Sequence, residues 1–154
     1  MRHMLLSFKA EVYHRVVSGE KIYEHRKNFP NETITAYLYV GKPIQSIVGI
    51  MHLSNREDLS TWLDKYAFDD MAVARIRKYL ERYRYVMEIT DYQHTNLLSI
   101  DEVKRYNPSF SIPYMYYYLD DTPLLKYLKE NLHPEGEIIR HSFENITSDR
   151  ICNS

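Results

Sequence analysis

The seven residues Ile34-Thr35-Ala36-Tyr37-Leu38-Tyr39-Val40 alternate without a break, and this constrains the fold more than any other stretch. Ile34, Ala36, Leu38 and Val40 point to one side of a strand, and Thr35, Tyr37 and Tyr39 to the other. Less regular patterns predict further strands at 4–8, 21–27, 44–53, 84–92 and 138–143. Residues 114–118 read as a strand or an extended segment.

Helical signals lie between these strands. Val12, Val16 and Val17 share one face of a helix over 10–18, and Gly19 stops it. Leu59, Trp62, Leu63 and Tyr66 fall at helical spacing. Asp69 or Asp70 caps the next helix, whose apolar stripe is Val73, Ile76, Leu80 and Tyr83. Ser99-Ile100-Asp101-Glu102 is a capping box opening a short helix that Pro108 ends, and Thr122-Pro123 starts a helix that runs to about 132. The helices are not spaced as regular crossovers between parallel strands, and neither a GxGxxG nor a GxxxxGK[ST] loop occurs. The expected class is α+β, a small curled sheet or barrel of about six strands with inserted helices. The expected organisation is one domain over 1–144 and a loose polar tail over 145–154.

A net charge of −1 gives no global attraction to nucleic acid, so such binding has to come from a local patch. Tyr occurs 15 times, which suits a binding surface, but for most of them a plain β-protein is the favoured reading. The one cysteine, Cys152, excludes an intrachain disulfide. The seven histidines show no HxxxH spacing, so neither a metal site nor a cofactor is expected. No signal-peptide core and no apolar run of about 20 residues is found, which gives an expectation of a cytoplasmic protein that does not contact membranes.

The chemistry concentrates in Gly19-Glu20-Lys21-Ile22-Tyr23-Glu24-His25-Arg26, of the form GxKxxExR. In a strand, Glu24 and Arg26 share a face, while Tyr23 and His25 share the other. Lys21 follows the glycine, where strict alternation need not hold. Such a mixture of charges suits a cleft for a polar, partly anionic ligand: Lys and Arg bind phosphate or carbonyl oxygen, and Glu orients a cation or accepts from a base edge. Residue types alone favour a structural Glu24–Arg26 ion pair on a sheet face.

The segment Leu5-Leu6-Ser7-Phe8-Lys9, the helix after it and Gly19-x-Lys21-x-x-Glu24-x-Arg26 together resemble the start of an ASCH domain, a family of the PUA-like superfamily. Ala10 stands where that family usually has proline. The resemblance implies a six-stranded barrel-like sheet with a cleft lined by the motif. It also implies a ligand class: RNA or a modified nucleoside or nucleotide. Ligand-binding candidates are then Lys9, Gly19, Lys21, Glu24 and Arg26. Some small members are similar to amidohydrolases that deacylate acetylated cytidine, with a threonine nucleophile three residues after the motif lysine. That position is Glu24 here, so the mechanism does not transfer. Lys21 and Glu24, or Glu88 as a tuned acid, are the catalytic candidates if a reaction occurs.

Arg75, Lys78 and Arg82 fall at i, i+3 and i+7 in a basic, Tyr-interleaved run over 75–84 and are candidates for auxiliary phosphate contacts. The same run also reads as a solvated helix face with Arg77–Glu81 support. Three function classes stay open: an RNA- or nucleotide-binding module, a small hydrolase of a modified nucleoside or a ribonuclease, and a protein-interaction or coregulator module.

Overall fold

The computed structural model describes residues 1–153. In these, seven strands and five α-helices follow in the order β1 (Arg2–Phe8), α1 (Ala10–Ser18), β2 (Tyr23–Arg26), β3 (Ile34–Val40), β4 (Ser46–Asp58), α2 (Trp62–Lys65), α3 (Asp70–Leu80), β5 (Tyr85–Ser99), α4 (Ile100–Tyr106), β6 (Tyr116–Tyr118), α5 (Pro123–Asn131) and β7 (Ile139–Arg140).

Local chemistry accounts for the helix ends. Gly19 takes the left-handed conformation (φ 84°) that closes α1, and its N–H donates to the Val16 carbonyl. The Asp69 carboxylate accepts from the Met71 and Ala72 N–H groups at the start of α3. Ser99 accepts from Glu102 N–H at 3.2 Å in α4, and Thr122 from Leu125 N–H at 3.2 Å in α5. Each cap satisfies a donor that the first helical turn leaves open.

The strands form one mixed α+β sheet in the order β2-β5-β4-β3-β1-β6, with β7 added on β5. Only β1 and β3 pair in parallel; α1 and β2 lie in the chain between them. Register shifts interrupt the β3–β4 and β4–β5 ladders. Such bulges bend and twist a sheet, and here it curls into a half-barrel. No ladder joins β2 to β6 among the described residues. Side chains bridge that seam: the Tyr116 hydroxyl donates to the Asn28 carbonyl at 2.9 Å, and the Phe29 and Tyr116 rings stack.

Both faces of the sheet are covered. Met4, Leu6, Leu38, Met51 and Ile89 form the inner core with Val16 of α1. Leu5, Tyr37, Ile47 and Leu98 pack under Val103 of α4 and Leu125 and Leu128 of α5. Hence every residue of β3 is buried, although its pattern alternates. A third cluster joins Ile22, Tyr23 and Val86 to Trp62, Tyr66, Ala72 and Ile76 from the segment carrying α2 and α3.

Several boundaries differ from the sequence expectation. β4 continues to Asp58 and β5 to Ser99, beyond the points where alternation fades. Asn55, at φ 55°, sits in one such irregularity. β2 begins only at Tyr23, and β7 shrinks to two residues. The segment after Glu144 is not loose. Ile151 and Cys152 are buried in the third cluster, and polar contacts from Ser148, Arg150 and Asn153 tie it down. No helix among the described residues is long and apolar enough to cross a membrane.

Candidate functional site

Strand β2 pairs with β5 through Tyr23–Glu88, Glu24–Met87, His25–Val86 and Arg26–Tyr85, and all four of its residues are buried. Alternation turns Glu24 and Arg26 to one face. There the Arg26 guanidinium donates to Glu24 Oε2 at 3.0 Å. Lys21 lies outside the strand and reaches the same carboxylate, its Nζ 3.4 Å from Oε1. The backbone N–H of His25 donates to Oε1 as well, at 3.1 Å. Two motif cations thus converge on one buried carboxylate, with Lys21 3%, Glu24 6% and Arg26 9% exposed.

The electrostatics follow from that packing. Burial would raise the Glu24 pKa, but Lys21, then Arg26, and the His25 N–H outweigh it and hold the carboxyl below its ordinary value. Glu24 is therefore ionised and its oxygens are engaged. The trio carries two cations against one anion. Arg26 Nε, fully buried, has no hydrogen-bond partner, and Lys21 Nζ donates its other bond to the backbone carbonyl of Asn153 at 3.3 Å.

His25 lies on the opposite face, as strand parity predicts. Its ring meets Tyr79 (centroids 4.9 Å apart), Trp62 and Tyr83. Burial, reinforced by Lys21 and opposed by Glu24, lowers its pKa to about 3. Its buried Nε2 has no hydrogen-bond partner.

The C-terminal segment was not foreseen as part of this site. Arg150 donates to the Gly19 carbonyl at 2.7 Å, so the motif glycine is held through its backbone. Arg75 donates to the Ser148 carbonyl, and the Ser148 hydroxyl to Asp69. Burial, opposed by Arg75 and Lys21, pushes the Cys152 thiol up to about 12. The signal for this docking was the Ile151-Cys152 pair inside an otherwise polar stretch.

The other candidates are dispersed. Lys9 caps the far end of α1 and is exposed. Nine helical residues, about 14 Å, separate it from the motif, and it lines a different groove with Ser7, Tyr39 and Lys42. Glu88 accepts from Asn55 Nδ2 at 3.2 and 2.9 Å, one to each oxygen, beside Tyr23 rather than beside Glu24. The run over 75–84 does not continue as one helix, because α3 ends at Leu80. Arg82 lies past that end, close to the Tyr83 ring, and Arg75 is committed to Ser148, while Lys78 is exposed on the helix. No group of three or more His, Cys, Asp or Glu side chains is placed to hold a metal ion among the described residues.

No family model matches the chain, and no curated protein matches it. Solved structures do. The crystal structure of ASCH from Zymomonas mobilis superposes with a TM-score of 0.61 at 20% identity, over 86% of this chain and 96% of that one. Two single-residue mutants of the same protein also have TM-scores of 0.61, at 20% and 19% identity, each over 86% of this chain and over 97% and 100% of theirs. At this identity the likeness establishes architecture: the curled mixed sheet with its inserted helices is the fold of the Zymomonas mobilis ASCH structures.

Proposed function

We propose that the chain is an ASCH-domain binding protein whose ligand is RNA or a nucleotide, taken at Lys21, Glu24 and Arg26. The observation that carries this reading is the surplus of buried positive charge. Glu24 satisfies only part of the hydrogen-bonding capacity of the two cations, Arg26 Nε is left without a partner, and Lys21 takes a carbonyl oxygen as its second acceptor. A phosphate or base carbonyl oxygen supplies the acceptor such donors lack. Glu24 sets their spacing and orientation. The ligand reaches Lys21 by displacing the Asn153 carbonyl.

Hydrolysis has less support. A carboxylate whose oxygens already accept from Lys21, Arg26 and a backbone N–H is a poor nucleophile and a poor acid. Glu88, the remaining carboxyl, sits next to Tyr23 on the other side of the strand.

The test incubates the purified protein and its Lys21→Ala variant with a labelled RNA pool and with acylated cytidine, reading retention and products. Retention that falls steeply with salt, is lost in the variant and leaves the RNA intact supports the reading. Turnover of either substrate moves the assignment to a hydrolase. Retention of neither overturns it and points to a protein partner.

A further inference from the structure

The chain itself closes the motif site from outside. Lys21 is buried, whereas Asn153, whose carbonyl accepts from Lys21 Nζ at 3.3 Å, is exposed. Residues 145–153 thus cover that ammonium, and they are attached differently from the strands. His141 fixes their root: its backbone N–H donates to the Thr90 carbonyl at 3.1 Å, and its ring nitrogens lie 2.7 and 3.1 Å from the Ile89 and Val16 carbonyl oxygens. Asn145, at φ 55°, turns the chain just beyond that root. Past it, the one backbone–backbone bond among the described residues stays inside the segment, from Arg150 N–H to the Thr147 carbonyl. Side chains make the polar links to the body. Arg150 donates to the Gly19 carbonyl at 2.7 Å, Arg75 to the Ser148 carbonyl, and the Ser148 hydroxyl to Asp69. Ile151 and Cys152 add the buried apolar contact.

We infer that residues 145–153 form an autoinhibitory strap, whose Asn153 carbonyl holds the acceptor position at Lys21 that the ligand's oxygen takes. This rests on the reading of Lys21 as a ligand contact. A segment tied by side chains, without a ladder, opens locally more readily than the sheet beneath it. The competition favours an anion, because an ammonium bonds a phosphate oxygen more strongly than a neutral carbonyl. A cavity of about 430 Å³ already lies at the end of the strap, walled by Cys152 and Asn153 on one side and by Arg15, Glu20 and Tyr79 on the other. Lys21 N–H donates to the Arg15 carbonyl at 2.9 Å, so lifting the strap joins this cavity to Lys21. The closed strap lowers the apparent affinity by the fraction of molecules that are open. By reciprocity, bound ligand raises that fraction by the same factor.

Cys152 is the one cysteine and is buried, so its alkylation reports the opening of the strap. The experiment measures the rate at which N-ethylmaleimide labels the full chain, with and without a saturating RNA pool, and the RNA affinity of the parent and of Arg150→Ala. RNA should speed labelling severalfold. Arg150→Ala frees the strap from Gly19, so it should label faster without RNA and bind RNA severalfold tighter, although it removes a positive charge. RNA retained with no change in labelling overturns the strap and leaves Lys21 as a ligand contact. So does an Arg150→Ala variant that labels no faster or binds no tighter. Retention by neither protein overturns the reading of Lys21 and the strap with it. Should Arg150→Ala fail to fold, the labelling of the parent with and without RNA decides.

Discussion

The two faces of strand β2 solve burial in opposite ways. On one, Glu24 is buried as an anion and drawn between Lys21 and Arg26. On the other, Tyr23 and His25 are buried against Trp62, and His25 stays neutral among rings. One turns on charge pairing, the other on rings packed around a neutral imidazole. The difference teaches that a four-residue strand can serve two environments, because its period of two separates neighbouring residues completely. It also means that the faces should fail under different perturbations.

Removing Glu24 should have the largest effect. Glu24→Ala leaves Lys21 and Arg26 buried without their shared counter-ion, a loss expected at about 3–5 kcal/mol in urea unfolding. A loss under 1 kcal/mol would show that the trio is solvated in solution.

Acid should break the other face next. His25 binds a proton near pH 6.5 when unfolded and near pH 3 when folded, so the unfolded state holds the extra proton between those values. Stability is then fully present above about pH 6.5 and falls by roughly 1.4 kcal/mol per pH unit below it, a loss of about 3 kcal/mol by pH 4.5. The lowered Glu24 pKa adds to the loss only below its unfolded value of 4.5. Thermal melting of the parent and of His25→Phe across this range separates the faces: the variant should lose the slope between pH 6.5 and 4.5. A slope that survives the substitution assigns it to other groups.

Lys21→Ala should cost less, about 1–3 kcal/mol, because Arg26 still pairs with Glu24. It also deletes the contact to Asn153, so limited proteolysis should cut the segment after Glu144 faster. Cutting at the parent's rate would show that Ile151 and Cys152 alone hold that segment. The smallest effect belongs to exposed Lys78, where Ala should change stability by less than about 0.5 kcal/mol. If Lys78→Ala nevertheless lowers RNA retention, α3 extends the binding surface beyond the motif.

Much of this was legible in local pattern. The caps at Asp69, Ser99 and Thr122 mark helix starts through side-chain-to-backbone bonds within three residues. Parity placed Glu24 with Arg26 and turned His25 away. The candidates that did not gather show where pattern reading ends. Lys9 and Lys21 flank the same helix and look close in sequence, yet the rigid rise of α1 holds them apart. Arg75 and Arg82 share a helical spacing that stops at Leu80. Three turns of helix require packing as well as propensity, and nothing in the spacing announces the end of that packing.

The sequence by itself determined the class of the fold, the near-complete set of strands and helices, and the meeting of Glu24 with Arg26. Alternation, capping and glycine geometry act between near neighbours, so residue order specifies them. Tertiary structure alone decided that residues 148–153 close over Lys21 and Gly19, that Trp62 and Phe143 come to Tyr23, and that Glu88 stands beside Tyr23 instead of Glu24. Those contacts join residues tens to more than a hundred positions apart. They depend on which surfaces remain uncovered once the sheet has curled, and no local pattern encodes that.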